Sequence, residues 1–328
     1  MPYCSISSSR MSPRMRTSFW LLLCALASTL PLGWAHARQA KVIESPAASQ
    51  AVVVARVNGR PITEAQVEFL RISRGITEAD ASGSRASLIE TLIDSELIRE
   101  FLSKKRVVVA EADLANRKAR FIDQWKTFGY DLPEQVKAWG LPEAVWVADI
   151  SLPLQWYVYS KTQITDAAIQ AEYTRDPKRW NGTRLRARQL VIRWPNGKPD
   201  AATREKIAGI AQRVAAGEVT FADAIAQHSA SPSATKGGDV GWFGWRGRLP
   251  AAVSTAAYAQ KVGEVGPPIE SPVGIHLIEV TEVRPGELSV EDARPEIFDE
   301  LSQRMWNDVV TTGRNTARIE RLNERPHP

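Results

Sequence analysis

The run from Lys236 to Phe243, Lys-Gly-Gly-Asp-Val-Gly-Trp-Phe, constrains the fold more than any other stretch of this sequence. Closely spaced glycines indicate a backbone that turns sharply or takes positive φ angles that other residues avoid. An aspartate between glycines can accept hydrogen bonds from neighbouring backbone N–H groups and hold such a turn. We therefore predict a rigid turn that feeds a short strand. Four residues are expected to form it: Gly237, Gly238, Asp239 and Gly241.

By itself, Gly-Gly-Asp-x-Gly is a common kind of turn. It lacks the Lys-Ser/Thr ending of a phosphate-binding loop, and nothing nearby is typical of a nucleotide-binding βα unit. The flanking segments narrow the interpretation. They read Phe221-Ala222-Asp223-Ala224, Ser231-Pro232, Gly263-Glu264-Val265 and Gly274-Ile275-His276-Leu277-Ile278.

In this order, the motifs resemble the parvulin family of peptidyl-prolyl cis-trans isomerases, from about Arg184 to Val283. The resemblance implies a small α/β domain with an antiparallel sheet and an isomerase activity that needs no cofactor. An X-Pro bond rotates slowly because amide resonance must be broken, with a barrier of roughly 18–20 kcal/mol. An enzyme that grips the proline and favours the twisted amide can speed this rotation without a covalent step.

The resemblance also implies the site residues. In the family, an apolar cup for the proline ring is formed by a Met or Leu and two aromatic residues, and here those positions are Leu249, Val253 and Tyr258. The polar centre of the family is a pair of histidines beside a Cys or Asp. Here His276 keeps the last-strand histidine, whereas Gln189 and Ser231 stand at the other two positions. Gln is neutral at every ordinary pH, and Ser is a neutral substitute for a thiolate or carboxylate.

The N-terminus has the pattern of a signal peptide. Arg10, Arg14 and Arg16 precede an apolar run, residues 19–32, that ends in the small-x-small sequence Ala35-His36-Ala37. This arrangement predicts cleavage after Ala37, no transmembrane span in the mature chain and a periplasmic or secreted location.

Removal of residues 1–37 changes the charge and the cysteine content. The three arginines account for three of the five net positive charges, so the basic composition does not indicate nucleic-acid binding. Both cysteines, Cys4 and Cys24, also leave with the signal, which suits an oxidising compartment. The three remaining histidines have no metal-ligand spacing, and we expect no metal site.

Residues 51–180 are predicted to be mainly helical after a first strand. Asn58-Gly59 indicates a hairpin turn, and Thr63 with Gln66 forms a capping-box pattern. "Val-Asn-Gly-x-x-Ile-Thr" at this place also resembles the start of secreted SurA-like chaperones. Ser82-Gly83-Ser84 is expected to break the helical pattern, and an apolar stripe follows from Leu88 to Leu102.

Six large aromatics in the helical region have two possible roles, as core residues or as an exposed surface for unfolded chains. They are Trp125, Trp139, Trp146, Trp156, Tyr157 and Tyr159. A last helix, capped by Ser289 and Asp292, has one apolar side and must pack against another part of the chain. In SurA-like proteins such a helix returns to the N-terminal domain.

The predicted fold class is α+β: a helical SurA-like N-terminal domain completed by a C-terminal helix, plus one parvulin-like α/β domain. The expected divisions are a signal peptide at 1–37, a flexible leader at 38–50, a helical domain at 51–180, a parvulin-like domain at 181–284, and a C-terminal helix with a frayed tail at 285–328.

Two functions remain open. The first is an isomerase that assists the folding of exported, proline-containing polypeptides. The second is a weak or inactive parvulin-fold chaperone or assembly factor for envelope or outer-membrane components.

Overall fold

The computed structural model describes residues 52–77 and 81–322, and within these ranges it contains eleven α-helices and two antiparallel sheets. The predicted signal peptide and leader lie outside the described residues. The N-terminal elements are β1 (Val53–Val57), β2 (Arg60–Thr63), α1 (Glu64–Ser73), α2 (Ala81–Lys104), α3 (Glu111–Thr127), α4 (Leu132–Ala138), α5 (Glu143–Gln163), α6 (Asp166–Arg175) and α7 (Pro177–Trp180). The remaining elements are β3 (Arg184–Arg193), α8 (Ala201–Ala215), α9 (Phe221–His228), β4 (Asp239–Phe243), α10 (Ala251–Ala259), β5 (Ile269–Ser271), β6 (Gly274–Arg284), α11 (Val290–Thr316) and β7 (Ile319–Arg321).

The first hairpin forms as the sequence predicts. Asn58 and Gly59 both take positive φ, 49° and 83°, which a two-residue turn between right-twisted strands requires. The capping box is confirmed, because the Thr63 side chain accepts from the Gln66 N–H and the Gln66 side chain accepts from the Thr63 N–H. The chain therefore enters α1 directly from β2.

Helix α2 is the long central helix of the N-terminal part, and its predicted apolar stripe is buried. Leu88, Leu92 and Ile93 are each at most 3% exposed. The predicted break at residues 82–84 is wrong, because α2 begins at Ala81 and includes them. Gly and Ser are poor helix formers, but a helix this long is stabilised chiefly by the packing of its apolar face.

The tryptophans of the helical part are core residues. Trp125, Trp139 and Trp146 lie in one cluster with Phe69, and Trp156 packs against α2 and α11. All four are at most 7% exposed, whereas Tyr157 is 52% exposed. These tryptophans are therefore core residues and do not form an exposed surface for unfolded chains.

The second part of the molecule is a four-stranded sheet in the order β4-β3-β6-β5. Helices α8 and α9 cover one face through a cluster that includes Leu190, Ile207 and Leu277. Helix α10 covers the opposite face through a cluster that includes Leu185, Val253 and Ile278. The long β3–β6 ladder is thus buried on both faces.

Helix α11 returns to the N-terminal helices, so the helical part is completed by the C-terminal end of the chain. Arg314 of α11 donates to Glu90 and Asp94 of α2, and Ser302 accepts from the Trp156 indole N–H. The capping box at Ser289 and Asp292 is confirmed.

The frayed tail predicted at the end of the range 285–328 is wrong for Ile319–Arg321. These residues form β7, which pairs antiparallel with β1. Arg321 also donates to Glu90, and Ile319 packs against the cluster of β1 and α2. Pairing with a distant strand orders a segment that is too short to show a periodic pattern.

Candidate functional site

Gln189 and His276 lie together on the central strands. In the β3–β6 register, Gln189 faces Ile278 and Val191 faces His276, so the two polar residues are diagonal neighbours on one face of the sheet. The His276 Nδ1 atom is 3.1 Å from Gln189 Oε1, and the residues are 3% and 8% exposed. The structure therefore brings these two predicted site residues into direct contact.

A serine that the sequence analysis did not single out completes the contacts of His276. Ser271, the last residue of β5, places its Oγ 2.8 Å from His276 Nε2 and is itself buried. Residues 271 and 276 flank the tight β5–β6 connection, in which Ser271 pairs with Gly274. Ser271 could have been identified from the sequence, because it lies across a hairpin turn from the candidate histidine His276.

Ser231 extends the same network towards the surface. Gln189 Nε2 lies 3.4 Å from Ser231 Oγ, which in turn lies 2.9 Å from Ser233 Oγ. Ser231 is only partly buried, since it caps the 3₁₀ turn Pro232–Lys236. The distances allow one continuous direction of donation, from Ser271 to His276, then to Gln189, then to Ser231.

Every member of this polar chain is neutral at physiological pH. Burial lowers the pKa of His276 to about 4, because the imidazolium form would lose its hydration. A neutral imidazole has one donor and one acceptor, which matches one amide oxygen on one side and one hydroxyl on the other. His276 is thus suited to hold hydrogen bonds and not to transfer protons near neutral pH.

The glycine-rich turn fixes the chain of hydrogen bonds in place. Gly237 and Gly238 take positive φ of 63° and 82°. A Cβ on Gly238 would lie 2.7 Å from the Gln189 carbonyl oxygen, so only glycine permits this approach. The Gly238 carbonyl in turn accepts from the Gln189 N–H at 3.0 Å.

Asp239 has a structural position beside this turn. Its Oδ1 accepts from the Gly241 N–H at 2.7 Å, and its Oδ2 accepts from Arg186 at 2.7 Å. The Arg186 side chain and the Gly241 N–H lower the pKa of Asp239, so that it stays ionised. Gly241 also has positive φ, 68°.

The three predicted cup residues lie in one cluster on the α10 face of the sheet. Val253 is fully buried and Tyr258 is 8% exposed, with its hydroxyl donated to the Thr183 carbonyl at 2.6 Å. Leu249 is only partly buried. Of the three, Leu249 is therefore the one with the most accessible surface.

The cluster and the polar chain are adjacent. Ile269 of β5 pairs with His276 in the sheet and packs against the cluster that holds Val253 and Tyr258. Trp245 packs edge-on against Tyr258, with 5.1 Å between ring centroids. The arrangement places an apolar wall beside the His276 end of the polar chain.

The described residues form neither a metal site nor a membrane-spanning helix. Within residues 52–77 and 81–322, no group of three His, Cys, Asp or Glu side chains is arranged to hold a metal ion. In the same ranges, no helix combines the length and apolar character needed to cross a bilayer.

Comparison with protein families places a rotamase match, described as a PPIC-type PPIASE domain, on residues 190–282. The chain is 29% identical over 216 residues to the foldase protein PrsA of Bacillus subtilis, covering 65% of this chain and 66% of that relative. It is 36% identical over 124 residues to the chaperone SurA of Aromatoleum aromaticum, covering 38% of this chain and 28% of that relative. The chain thus spans less than two thirds of the length of these relatives.

Among solved structures, PrsA of Bacillus anthracis aligns with 69% of this chain and 95% of its own, at 20% identity and a TM-score of 0.42. The SurA-like chaperones PEB4 and Cj1289 of Campylobacter jejuni are represented by a structure that aligns with 83% of this chain and 100% of its own. Its identity is 17% and its TM-score is 0.28.

Proposed function

We propose that this chain, which carries a parvulin-type PpiC peptidyl-prolyl isomerase domain at residues 190–282 and is related to PrsA foldases and SurA chaperones, is a foldase that rotates X-Pro bonds in unfolded polypeptides. The observation that carries the proposal is the neutral chain from Ser271 through His276 and Gln189 to Ser231, beside an apolar wall.

Rotation of an X-Pro bond requires loss of amide resonance and no proton transfer. A neutral site can favour the twisted amide through hydrogen bonds and an apolar surface that excludes water. In the proposed mechanism, Ser231 meets the substrate because it is the most exposed residue of the polar chain. Gln189 and His276 act as positioning residues that orient this hydroxyl.

The proline ring would rest on Leu249, with Val253 and Tyr258 supporting this wall from within the core. Val253 is smaller than the aromatic residue of the family, so the grip on the ring is expected to be looser. Because His276 has a pKa of about 4, the rate should be constant between about pH 6 and 8.

We also propose that the protein acts on exported clients in the periplasm or outside the cell. The signal-peptide pattern at residues 1–37 and the relation to SurA and PrsA support this location. The divisions at 51–180, 181–284 and 285–328 belong to the same proposal. In it, the helical part supplies the chaperone function and the sheet part supplies the isomerase.

A second candidate function is a non-catalytic chaperone or assembly factor for envelope or outer-membrane components. It is favoured by the burial of Val253 and Tyr258, which leaves little open cup, and by the replacement of the family's second histidine with Gln189. In this reading the sheet part would serve only as a peptide-binding module.

The test is an isomerase assay on the chain from Arg38 onward, with a proline tetrapeptide and with proline-limited refolding of a small protein. Leu249→Ala should reduce the rate, while Val262→Ala, at an exposed valine of the same domain, should leave it unchanged. The double variant Gln189→His/Ser231→Asp, which restores the family residues, should raise it. No acceleration in either assay, together with suppressed aggregation of an unfolded client, would favour the second candidate.

A further inference from the structure

A groove of about 330 Å³ lies between α2 and α11, in the helical part of the molecule and separate from the polar chain at His276. Its apolar walls are Leu97 and Phe101 of α2 and Val309 of α11. The volume is at the lower end of the range for ligand pockets, about 300–1,000 Å³, and suits one or two side chains of a peptide.

The walls of the groove are held rigidly. At one end the helices touch, since a Cβ on Gly313 would lie 3.2 Å from a methyl carbon of Leu97. Further along, Phe101 is fixed by an edge-on contact with Tyr159, with ring centroids 5.1 Å apart. Close packing at Gly313 and a fixed ring at Phe101 leave a preformed space between them, so an incoming side chain would not have to open the helices.

The rim of the groove is polar and carries both donors and acceptors. Glu100 accepts from Asn58 at 2.6 Å and from Lys104 at 2.7 Å, and these contacts lower its pKa. On the opposite wall, Asp308 is exposed and has no ion-pair partner among the described residues. Two carboxylates and one ammonium group leave the rim with a net negative charge.

We propose that this groove binds an extended segment of an unfolded polypeptide, with one bulky apolar side chain between α2 and α11 and a neighbouring basic side chain facing Asp308. An extended backbone presents alternating N–H and C=O groups, which match the mixed donors and acceptors of the rim. The negative rim disfavours an anionic lipid head group. The proposal rests on the foldase function proposed above and specifies the clients of its helical part.

The test measures the binding of a fluorescein-labelled Gly/Ser peptide that carries one Phe-Lys pair and no proline. The absence of proline separates binding in the groove from recognition at the isomerase site. Thr312→Trp should fill the groove and weaken binding about tenfold. Thr311→Trp is the matched control, because Thr311 is the exposed neighbour on α11 and does not line the groove.

Charge reversal gives a second, independent readout. Asp308→Lys should weaken binding of the Phe-Lys peptide and strengthen binding of the same peptide with Phe-Glu. Asp299→Lys, at another exposed aspartate of α11, should change neither affinity. This pair of variants keeps the proposal testable if Thr312→Trp fails to fold, which circular dichroism would detect.

Several results would overturn the proposal. Equal affinities in the two Thr variants, or equal binding of a peptide with Ser in place of Phe, would exclude the groove as the site. Absence of peptide binding, together with binding of phosphatidylglycerol vesicles that Thr312→Trp abolishes, would make the groove a lipid site. The proposal stands, by contrast, if no isomerase rate is found and Thr312→Trp still weakens peptide binding, a result that refutes only the isomerase function.

Discussion

Two buried polar networks, one in each part of this molecule, are built in opposite ways. In the sheet part, the buried chain of Ser271, His276 and Gln189 contains no charge at neutral pH. In the helical part, Arg99 donates to both Glu96 and Asp149, and these three side chains are only 10–16% exposed. The network at His276 thus uses hydrogen bonds between neutral groups, whereas the network at Arg99 uses ion pairs.

The difference predicts how strongly each network responds to the mutation of one of its members. A neutral network loses about one hydrogen bond when a member is removed, whereas removal of one partner from an ionic network leaves an uncompensated buried charge. Two atoms of the ionic network, Arg99 Nε and Asp149 Oδ2, have no hydrogen-bond partner. The helical part is therefore expected to be the more sensitive to mutation of its polar residues.

The largest effect is expected for Arg99→Met, which leaves the buried Asp149 without its ion-pair partner and Glu96 with Arg60 alone. We expect a loss of about 3–5 kcal/mol in the free energy of unfolding, measured by urea denaturation. The double variant Arg99→Met/Asp149→Leu should recover part of this loss, because the second carboxylate is also removed. A single variant as stable as the wild type would show that the ion pairs contribute nothing.

Asp149 and His276 should contribute to the pH dependence of stability with opposite sign. Burial raises the pKa of Asp149 to about 6, so the folded state holds this proton more tightly than the unfolded state. Its contribution to stability is therefore lost as pH rises from about 4 to 6. Burial lowers the pKa of His276 to about 4, so the unfolded state takes up this proton first, and stability is lost as pH falls through the same window.

Single variants should uncover each contribution. On acidification from about pH 6 to 4, stability should fall more steeply in Asp149→Asn than in the wild type and less steeply in His276→Gln, each by up to about 3 kcal/mol. Urea midpoints across this window would measure both slopes. Parallel slopes in the two variants would contradict the opposite assignment of the two groups.

A smaller loss, about 2 kcal/mol, is expected for Gln189→Leu, because His276 and Ser231 each lose a partner in a buried site. Gln163→Leu is the matched control, at an exposed glutamine near the end of α5. Thermal unfolding of the two variants would compare them directly. Equal midpoints would mean that water replaces the missing amide without cost.

The smallest effect is expected at the surface of the sheet part. Arg204 and Glu270 form an exposed ion pair, with an N–O distance of 2.6 Å. Solvent screens such pairs, so Arg204→Ala should leave the unfolding midpoint unchanged within error. A clear drop in the unfolding midpoint would show that exposed ion pairs also contribute to stability.

Much of the secondary structure could be predicted from local patterns in the sequence. Caps at Thr63 and Ser289 and the strand at residues 185–192 depend on residues close together in sequence, and all three are present. The contact between Gln189 and His276 followed from the family resemblance, which places one on the first strand and one on the last.

Long-range features that the family resemblance does not imply could not be predicted from local patterns. Strand β7 exists because it pairs with β1, and three residues carry no periodic pattern of their own. The partnership of Ser271 with His276 depends on the register of a hairpin, and the fate of the tryptophans depends on how α3, α4 and α5 pack. The groove between α2 and α11 likewise arises from two helices at opposite ends of the chain.

The pairing of β1 with β7 has a consequence for the order of events when the chain is made. Synthesis proceeds from the N-terminus, so Val53–Val57 and the apolar stripe of α2 emerge long before α11 and β7 exist. Contacts this far apart in sequence form late, after the intervening sheet part has been completed. During synthesis, part of the apolar stripe of α2 thus stays uncovered until α11 and β7 have been made.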